Sequence, residues 1–173
     1  MLYERPFNLK RKEMIPMDLD PQQLVERYAQ RMYRLAFSYC RNRQDAEDVV
    51  QEVFSKYLRH KPAFPDEEKC LAWLLKATAN TCRDLLRSPW RGKCCSLEEA
   101  AEPAVLMEEE SALLSAVGNL PAKYRGVVHL YYYEDYSVTQ TAATLGISES
   151  AVRMRLLRAR QKLKDELGGI WNE

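Results

Sequence analysis

Three sets of side chains in this sequence have types and spacing suited to molecular recognition. Between Arg153 and Lys164, six basic residues occupy twelve positions with no acid among them. Cations at that density suit a phosphate backbone. A second set is Trp73, Lys76, Asn80, Arg83 and Arg87, which combines an indole, an amide and three cations. An indole offers a stacking face, an amide hydrogen-bonds base edges and cations track a phosphodiester chain, the chemistry of unpaired nucleic acid. The third set, Asp48, Gln51, Glu52 and Ser55, is acidic and polar. Beside two cationic sets, it suits a protein partner rather than phosphate.

No catalytic constellation accompanies them. The sequence has no phosphate-cradling glycine loop and no nucleophile–base pattern. The five cysteines, Cys40, Cys70, Cys82, Cys94 and Cys95, form no CxxC pair, and His60 and His129 are remote from most of them. Zinc needs four ligands at close spacing, so we expect free thiols, no metal, no cofactor and no enzymatic activity.

Helices must position these residues. At about 100° per residue, Val152, Leu156, Ala159 and Leu163 share an arc roughly 60° wide, which predicts the buried side. Ser150, Met154, Arg158 and Gln161 lie opposite, with Leu157 at the edge. Arg153, Arg155, Arg160, Lys162 and Lys164 spread along the flanks. A helix in a major groove needs that arrangement: short or specific side chains outward near its N-terminus and cations toward both phosphate walls. Ala142, Gly146 and Val152 supply the spacing of a helix-turn-helix, with Gly146 free to take positive φ at the turn. In an earlier helix over about 67–87, Leu71, Leu74, Leu75, Thr78, Cys82 and Leu85 form the predicted buried side, and the Trp73 to Arg87 row falls opposite within roughly 80°. The helix over 44–59 has an apolar stripe of Ala46, Val49, Val50, Val53, Phe54, Tyr57 and Leu58. Leu24, Tyr28, Leu35 and Tyr39 recur at helical spacing over 21–40.

The predicted fold is therefore all-α: two small helical domains joined by a flexible acidic linker, the C-terminal one a helix-turn-helix. We divide the chain into an N-terminal arm at 1–20, a first domain at 21–91, a linker at 92–107 and a second domain at 108–173. Pro121 and the capping pattern of Ser137 with Gln140 mark helix starts in the second domain. The net charge of +1 conceals segregation, because residues 94–113 carry six acids and no base. No apolar run is long enough to cross a membrane, and the N-terminal stretch lacks the apolar core of a secretory signal. A cytoplasmic protein is expected.

The segments DAEDVVQEVF, AWLLKATANTCRDLLR and LPAKYRGVVHLYYYEDYSVTQTAATLGISESAVRMRLLRARQKL together resemble the bacterial sigma-70 family, in particular its extracytoplasmic-function group. The resemblance covers about residues 22–91 and 108–168. It implies a polymerase subunit that binds core RNA polymerase through the β′ clamp and β flap and directs it to promoter DNA. Asp45, Asp48, Gln51, Glu52 and Ser55 would dock on the clamp. Trp73, Lys76, Asn80, Arg83 and Arg87 would capture the melted −10 element. Ser150, Arg153, Met154, Arg155, Leu157 and Arg158 would read the −35 duplex, and residues 92–107 would thread near the active-site and RNA-exit path. An anti-sigma factor, itself often membrane-linked, is an expected partner. Met154 stands where serine is frequent in the family, and YSVTQTAATL lacks the usual acidic pair. Two other readings compete: a free-standing helix-turn-helix repressor, which needs no single-strand face, and a nucleic-acid-modifying enzyme, which needs a catalytic constellation.

Overall fold

The computed structural model describes residues 20–88 and 108–168, without the side chains of 108–111. The predicted linker with Cys94 and Cys95, nearly all of the N-terminal arm, and residues 169–173 lie outside the described residues. Those described form seven α-helices, one π-helical turn and no strand.

Local chemistry sets the helix ends of the N-terminal module. Helix α1 (Pro21–Cys40) opens on a proline, which costs no hydrogen bond in the first turn. It ends at Arg41, which takes a left-handed φ of 54° so that its N–H reaches Phe37 O at 2.8 Å. Helix α2 (Arg43–His60) is capped by Asn42, whose Oδ1 accepts from the Asp45 N–H at 3.0 Å. Pro62 and Pro65 interrupt the chain before α3 (Glu67–Arg87), where Asp66 Oδ1 accepts from the Lys69 N–H at 2.7 Å. Glu67 and Glu68 in the first turn complement the helix dipole.

The three helices pack around Leu24, Met32, Leu35, Val49, Val53, Leu74 and Leu75, all essentially inaccessible to solvent. Truncating a leucine in such a site costs about 2–5 kcal/mol. Most of the predicted stripes are buried, but Val50 and Phe54 are only half-buried, and two further positions differ. Leu58 is 48% exposed, because it sits at the rim of its stripe where neither α1 nor α3 covers it, and Leu85 is only half-buried. Cys70 and Ala79, which the predicted stripe omitted, are fully buried.

The C-terminal module comprises α4 (Glu108–Asn119), α5 (Ala122–Val128), a π turn (His129–Tyr133), α6 (Val138–Leu145) and α7 (Glu149–Leu167). At α6 the capping box is complete: Ser137 Oγ accepts from Gln140 N–H at 3.1 Å, and Gln140 Oε1 accepts from Ser137 N–H at 2.9 Å. Gly146 takes φ 64° at the turn into α7. Ser148 then caps α7 by accepting from the Ala151 N–H at 3.2 Å. Of the predicted inner arc, Val152, Leu156 and Ala159 are buried and Leu163 is half-buried.

The linker is not the sole connection between the modules. Val127, Leu130, Ala142, Leu145, Val152 and Leu156 share one apolar core with α1, α2 and α3. Arg125 donates from Nη2 to Tyr39 O at 2.7 Å and from Nε to Ser38 O, meeting the unpaired carbonyls at the end of α1. Its Nη1 reaches Gly118 O at 3.3 Å and also Leu120 O. Gly126 is packed so tightly on the Tyr39 ring that no Cβ fits there.

Candidate nucleic-acid interface

Burying the Val152, Leu156 and Ala159 side of α7 turns Ser150, Arg153, Met154, Leu157 and Arg158 outward, and all five are exposed. Met154 and Leu157 are 47% and 60% exposed, so apolar groups able to meet a thymine methyl stand among the cations. Two of those cations already have partners. Arg153 pairs with Glu149 at 2.8 Å, and Glu149 also accepts from Thr139 Oγ1 at 2.8 Å. The Arg158 guanidinium beside the Tyr124 hydroxyl holds that phenol below its ordinary pKa. Arg155 differs from the rest. It is half-buried, and its charge acts on the Tyr39 phenol of α1.

On α3 the predicted row is brought together, but it is less open than helical geometry alone suggests. Arg87 is exposed, whereas Trp73, Lys76, Asn80 and Arg83 are half-buried. The Trp73 indole packs edge-on to Tyr57 at 6.1 Å and tilted against Phe64 at 5.9 Å. Phe64, in the α2–α3 connection, supplies cover that a single-helix projection cannot show. Arg83 is the most constrained member. Its Nη1 donates to Leu145 O of α6 at 2.8 Å, and its Nη2 donates to Asn80 Oδ1. The Lys76 ammonium titrates below the ordinary lysine value, through burial first and the Arg83 charge second.

The α2 face follows from burying Ala46, Val49, Val53 and Tyr57. Asp48, Gln51, Glu52 and Ser55 are exposed opposite them, and Asp45 is half-buried in the first turn. Glu52 has cations of its own chain nearby, Lys56 at 3.4 Å and Arg59 at 3.5 Å. Lys56 also donates to Thr81 Oγ1 of α3 at 3.1 Å, next along the chain from Asn80.

The family models for Sigma-70 region 2 and Sigma-70, region 4 match residues 24–92 and 110–163. The ECF RNA polymerase sigma factor SigM of Mycobacterium tuberculosis is 30% identical over 149 residues, covering 84% of this chain and 76% of SigM. The chain belongs to the sigma-70 family, in its extracytoplasmic-function group. RfaY of Xanthomonas campestris pv. campestris, described as a probable RNA polymerase sigma factor, is 35% identical over 146 residues. That match covers 77% of this chain and 36% of RfaY, so the chain spans about a third of that relative's length. The sigma factor RpoE of Bartonella quintana, solved in complex with the anti-sigma factor NepR, shares the fold. Its TM-score is 0.71 at 21% identity, over 85% of this chain and 96% of that one.

This sigma factor thus directs promoter recognition for transcription initiation, and members of its family are non-catalytic regulators. Among the described residues, no group of three His, Cys, Asp or Glu side chains could hold a metal, and no helix is long and apolar enough to cross a membrane. Cys40, Cys70 and Cys82 form no disulfide, and burial pushes the Cys70 thiol up to about 11.

Some residues that shape the sigma factor's interface escape a helix-by-helix reading. Arg125 and Tyr124 look like ordinary amphipathic helix positions, and only tertiary packing reveals their partners. Arg160, placed on a flank, donates from Nε to the Tyr132 hydroxyl at 2.7 Å and lies over the ring. Gly126, a glycine inside a short helix, was a readable signal of close approach.

Proposed function

We propose that this sigma factor makes core RNA polymerase promoter-specific through three surfaces and carries no chemistry of its own. Ser150, Arg153, Met154, Arg155, Leu157 and Arg158 meet the −35 element as duplex. Their major-groove readout combines hydrogen bonds to base edges with apolar contact. Trp73, Lys76, Asn80, Arg83 and Arg87 hold the separated −10 strand, so melting is favoured by contacts that duplex cannot make. Asp45, Asp48, Gln51, Glu52 and Ser55 dock on the β′ clamp, and the C-terminal module engages the β flap.

The observation that carries this reading is the juxtaposition, on one folded chain, of an outward cationic helix in a helix-turn-helix and a row combining indole, amide and guanidinium. A repressor needs only the first. Joined on one polymerase, the second DNA contact becomes intramolecular, so two modest interfaces give useful specificity. The protein acts in the cytoplasm, at the nucleoid. An anti-sigma factor is the expected regulator, and RpoE, a protein of the same fold, has been seen bound to one.

In vitro transcription with core polymerase and a randomised promoter library tests the reading. The expected result is enrichment of a bipartite −35/−10 sequence that depends on this chain. Occupancy of DNA sites by the purified chain alone, with no effect on core polymerase, would overturn it.

A further inference from the structure

Cys40 closes α1, and Cys82 lies on the buried side of α3. The two helices pack against each other, and both cysteines belong to the apolar cluster between them. Their exposure differs: Cys40 is half-buried, whereas Cys82 is inaccessible to solvent. The Cys40 thiol beside it, and then burial, push the Cys82 thiol far above its ordinary pKa. Cys82 also acts on the phenol of Tyr39, the residue before Cys40, so it meets α1 at two successive positions.

Neighbouring thiols of unequal exposure suit a division of labour in which one meets an oxidant and the other resolves the product. The end of α1 would by itself disfavour a thiolate, because the last carbonyls of a helix carry partial negative charge. Arg125 offsets this. It donates to the carbonyls of Ser38 and Tyr39, and its guanidinium stands within electrostatic reach of Cys40. We propose that Cys40 and Cys82 form an oxidation site, at which a peroxide attacked by Cys40 leads to a disulfide between α1 and α3.

The chemistry balances in two steps. The Cys40 thiolate attacks one peroxide oxygen, the S–O bond forms as the O–O bond breaks, and the leaving oxygen takes up a proton as water. The Cys82 sulfur then attacks the Cys40 sulfenic acid, the S–S bond forms as the S–O bond breaks, and a second water departs with the Cys82 proton. Two thiols are oxidised by two electrons, and one peroxide is reduced to two waters. Cys82 directly precedes Arg83 on α3, and a covalent bond holds two sulfurs closer than thiols in contact. Closure therefore draws the Asn80–Arg83 stretch toward α1 and weakens strand capture, a consequence that rests on the single-strand reading given above.

The full chain, carrying Cys94→Ser and Cys95→Ser to remove the two thiols adjacent in sequence, is treated with hydrogen peroxide, denatured, alkylated and mapped by mass spectrometry. The expected result is loss of two alkylatable thiols and a peptide joining Cys40 to Cys82, reversed by dithiothreitol. Cys70, also buried on α3, should remain alkylatable. Cys40→Ser should leave Cys82 reduced, and Cys82→Ala should accumulate a sulfenic acid on Cys40 that dimedone traps. If circular dichroism shows Cys82→Ala unfolded, Cys40→Ser at the half-exposed position decides alone. Cys40 and Cys82 both alkylated after peroxide, or a bond to another cysteine or between chains, would overturn the site. Anisotropy of a fluorescein-labelled single strand reads the consequence: weaker binding by the oxidised chain, regained with dithiothreitol and absent in Cys40→Ser. A mapped Cys40–Cys82 bond with unchanged strand binding keeps the oxidation site and removes its link to the α3 row.

Discussion

Arg31 Nε on α1 lies 2.7 Å from Glu134 Oε2, an ion pair that crosses from one module of this sigma factor to the other. The Glu134 side chain is only 5% exposed, and His129 Nε2 stands 3.5 Å from its other oxygen. Burial alone would raise this carboxyl. The contacts with His129 and Arg31 outweigh it and hold the pKa below the ordinary glutamate value. A carboxylate depressed in the folded state contributes stability that is fully present above its unfolded pKa, about 4.3, and is lost as pH falls through the lower folded value. We predict that Glu134→Gln lowers the unfolding free energy by about 1–2 kcal/mol at neutral pH. The difference from the parent should shrink as pH drops below about 4.3. Urea titrations of both proteins across that range check it. A pH-independent difference would mean that the side chain matters through shape alone.

The acidic face of α2 makes a graded prediction. Asp48 and Glu52 are both exposed, but Glu52 shares its charge with Lys56 and Arg59 of the same helix. Charge reversal at both positions should abolish co-purification with core polymerase without unfolding the chain. Taken singly, Asp48→Arg should weaken docking more than Glu52→Arg. The second change should also cost roughly 0.3–1 kcal/mol of stability, because it sets a third cation beside two others. Pull-down against the β′ clamp with a melting curve for each variant separates the effects. Undiminished docking by the double variant would remove both residues from the interface.

On α7, Arg158 is exposed, and its charge acts on the Tyr124 hydroxyl, whose pKa it lowers. Arg158→Ala should cost about 1–3 kcal/mol of promoter affinity and relax preference at one −35 position, as expected of a guanidinium on a guanine. Binding to a panel of single-base promoter variants measures this. An equal loss on every sequence would make Arg158 a phosphate contact. Tyr124→Phe should produce a smaller loss at the same position, since it removes the hydroxyl and keeps the ring.

Much of this architecture was legible in the sequence, because local rules govern it. The Ser137–Gln140 capping box, the Gly146 turn and the inner arc of Val152, Leu156 and Ala159 all depend on residues within a few positions of one another. The half-burial of the Trp73 row was not legible in that way. Trp73 is covered by Phe64 and Tyr57, and Arg83 is drawn to a carbonyl 62 positions further on. Helical periodicity finds the side that faces away from a helix's own bundle. It is silent about a second module arriving on that side. The same blindness applies to Arg125, whose four carbonyl partners come from the ends of two other helices.

In the proposed function, strand capture turns on Asn80. Its side chain sits midway along the α3 row with Arg83 as its neighbour, so an amide and a guanidinium form one hydrogen-bonding unit. A splayed base needs such a unit on its polar edge and an aromatic surface on its face. In the proposed strand site Trp73 is the aromatic, and Tyr57 and Phe64 brace its ring. Asn80→Ala removes the amide with little cost to packing, since the side chain lies at the surface of the helix rather than in the core. We predict that this variant forms closed complexes on promoter duplex as the parent does, while open complexes fall about tenfold or more, the equivalent of roughly 1.4 kcal/mol or more of lost strand binding. Permanganate reactivity of unpaired thymines reads the open complex, and gel retardation at low temperature reads the closed one. Trp73→Phe, which keeps the aromatic face and the contact with Phe64, should retain most strand capture. Footprints unchanged by Asn80→Ala would move base recognition elsewhere on α3 and leave the cations to act on the backbone alone.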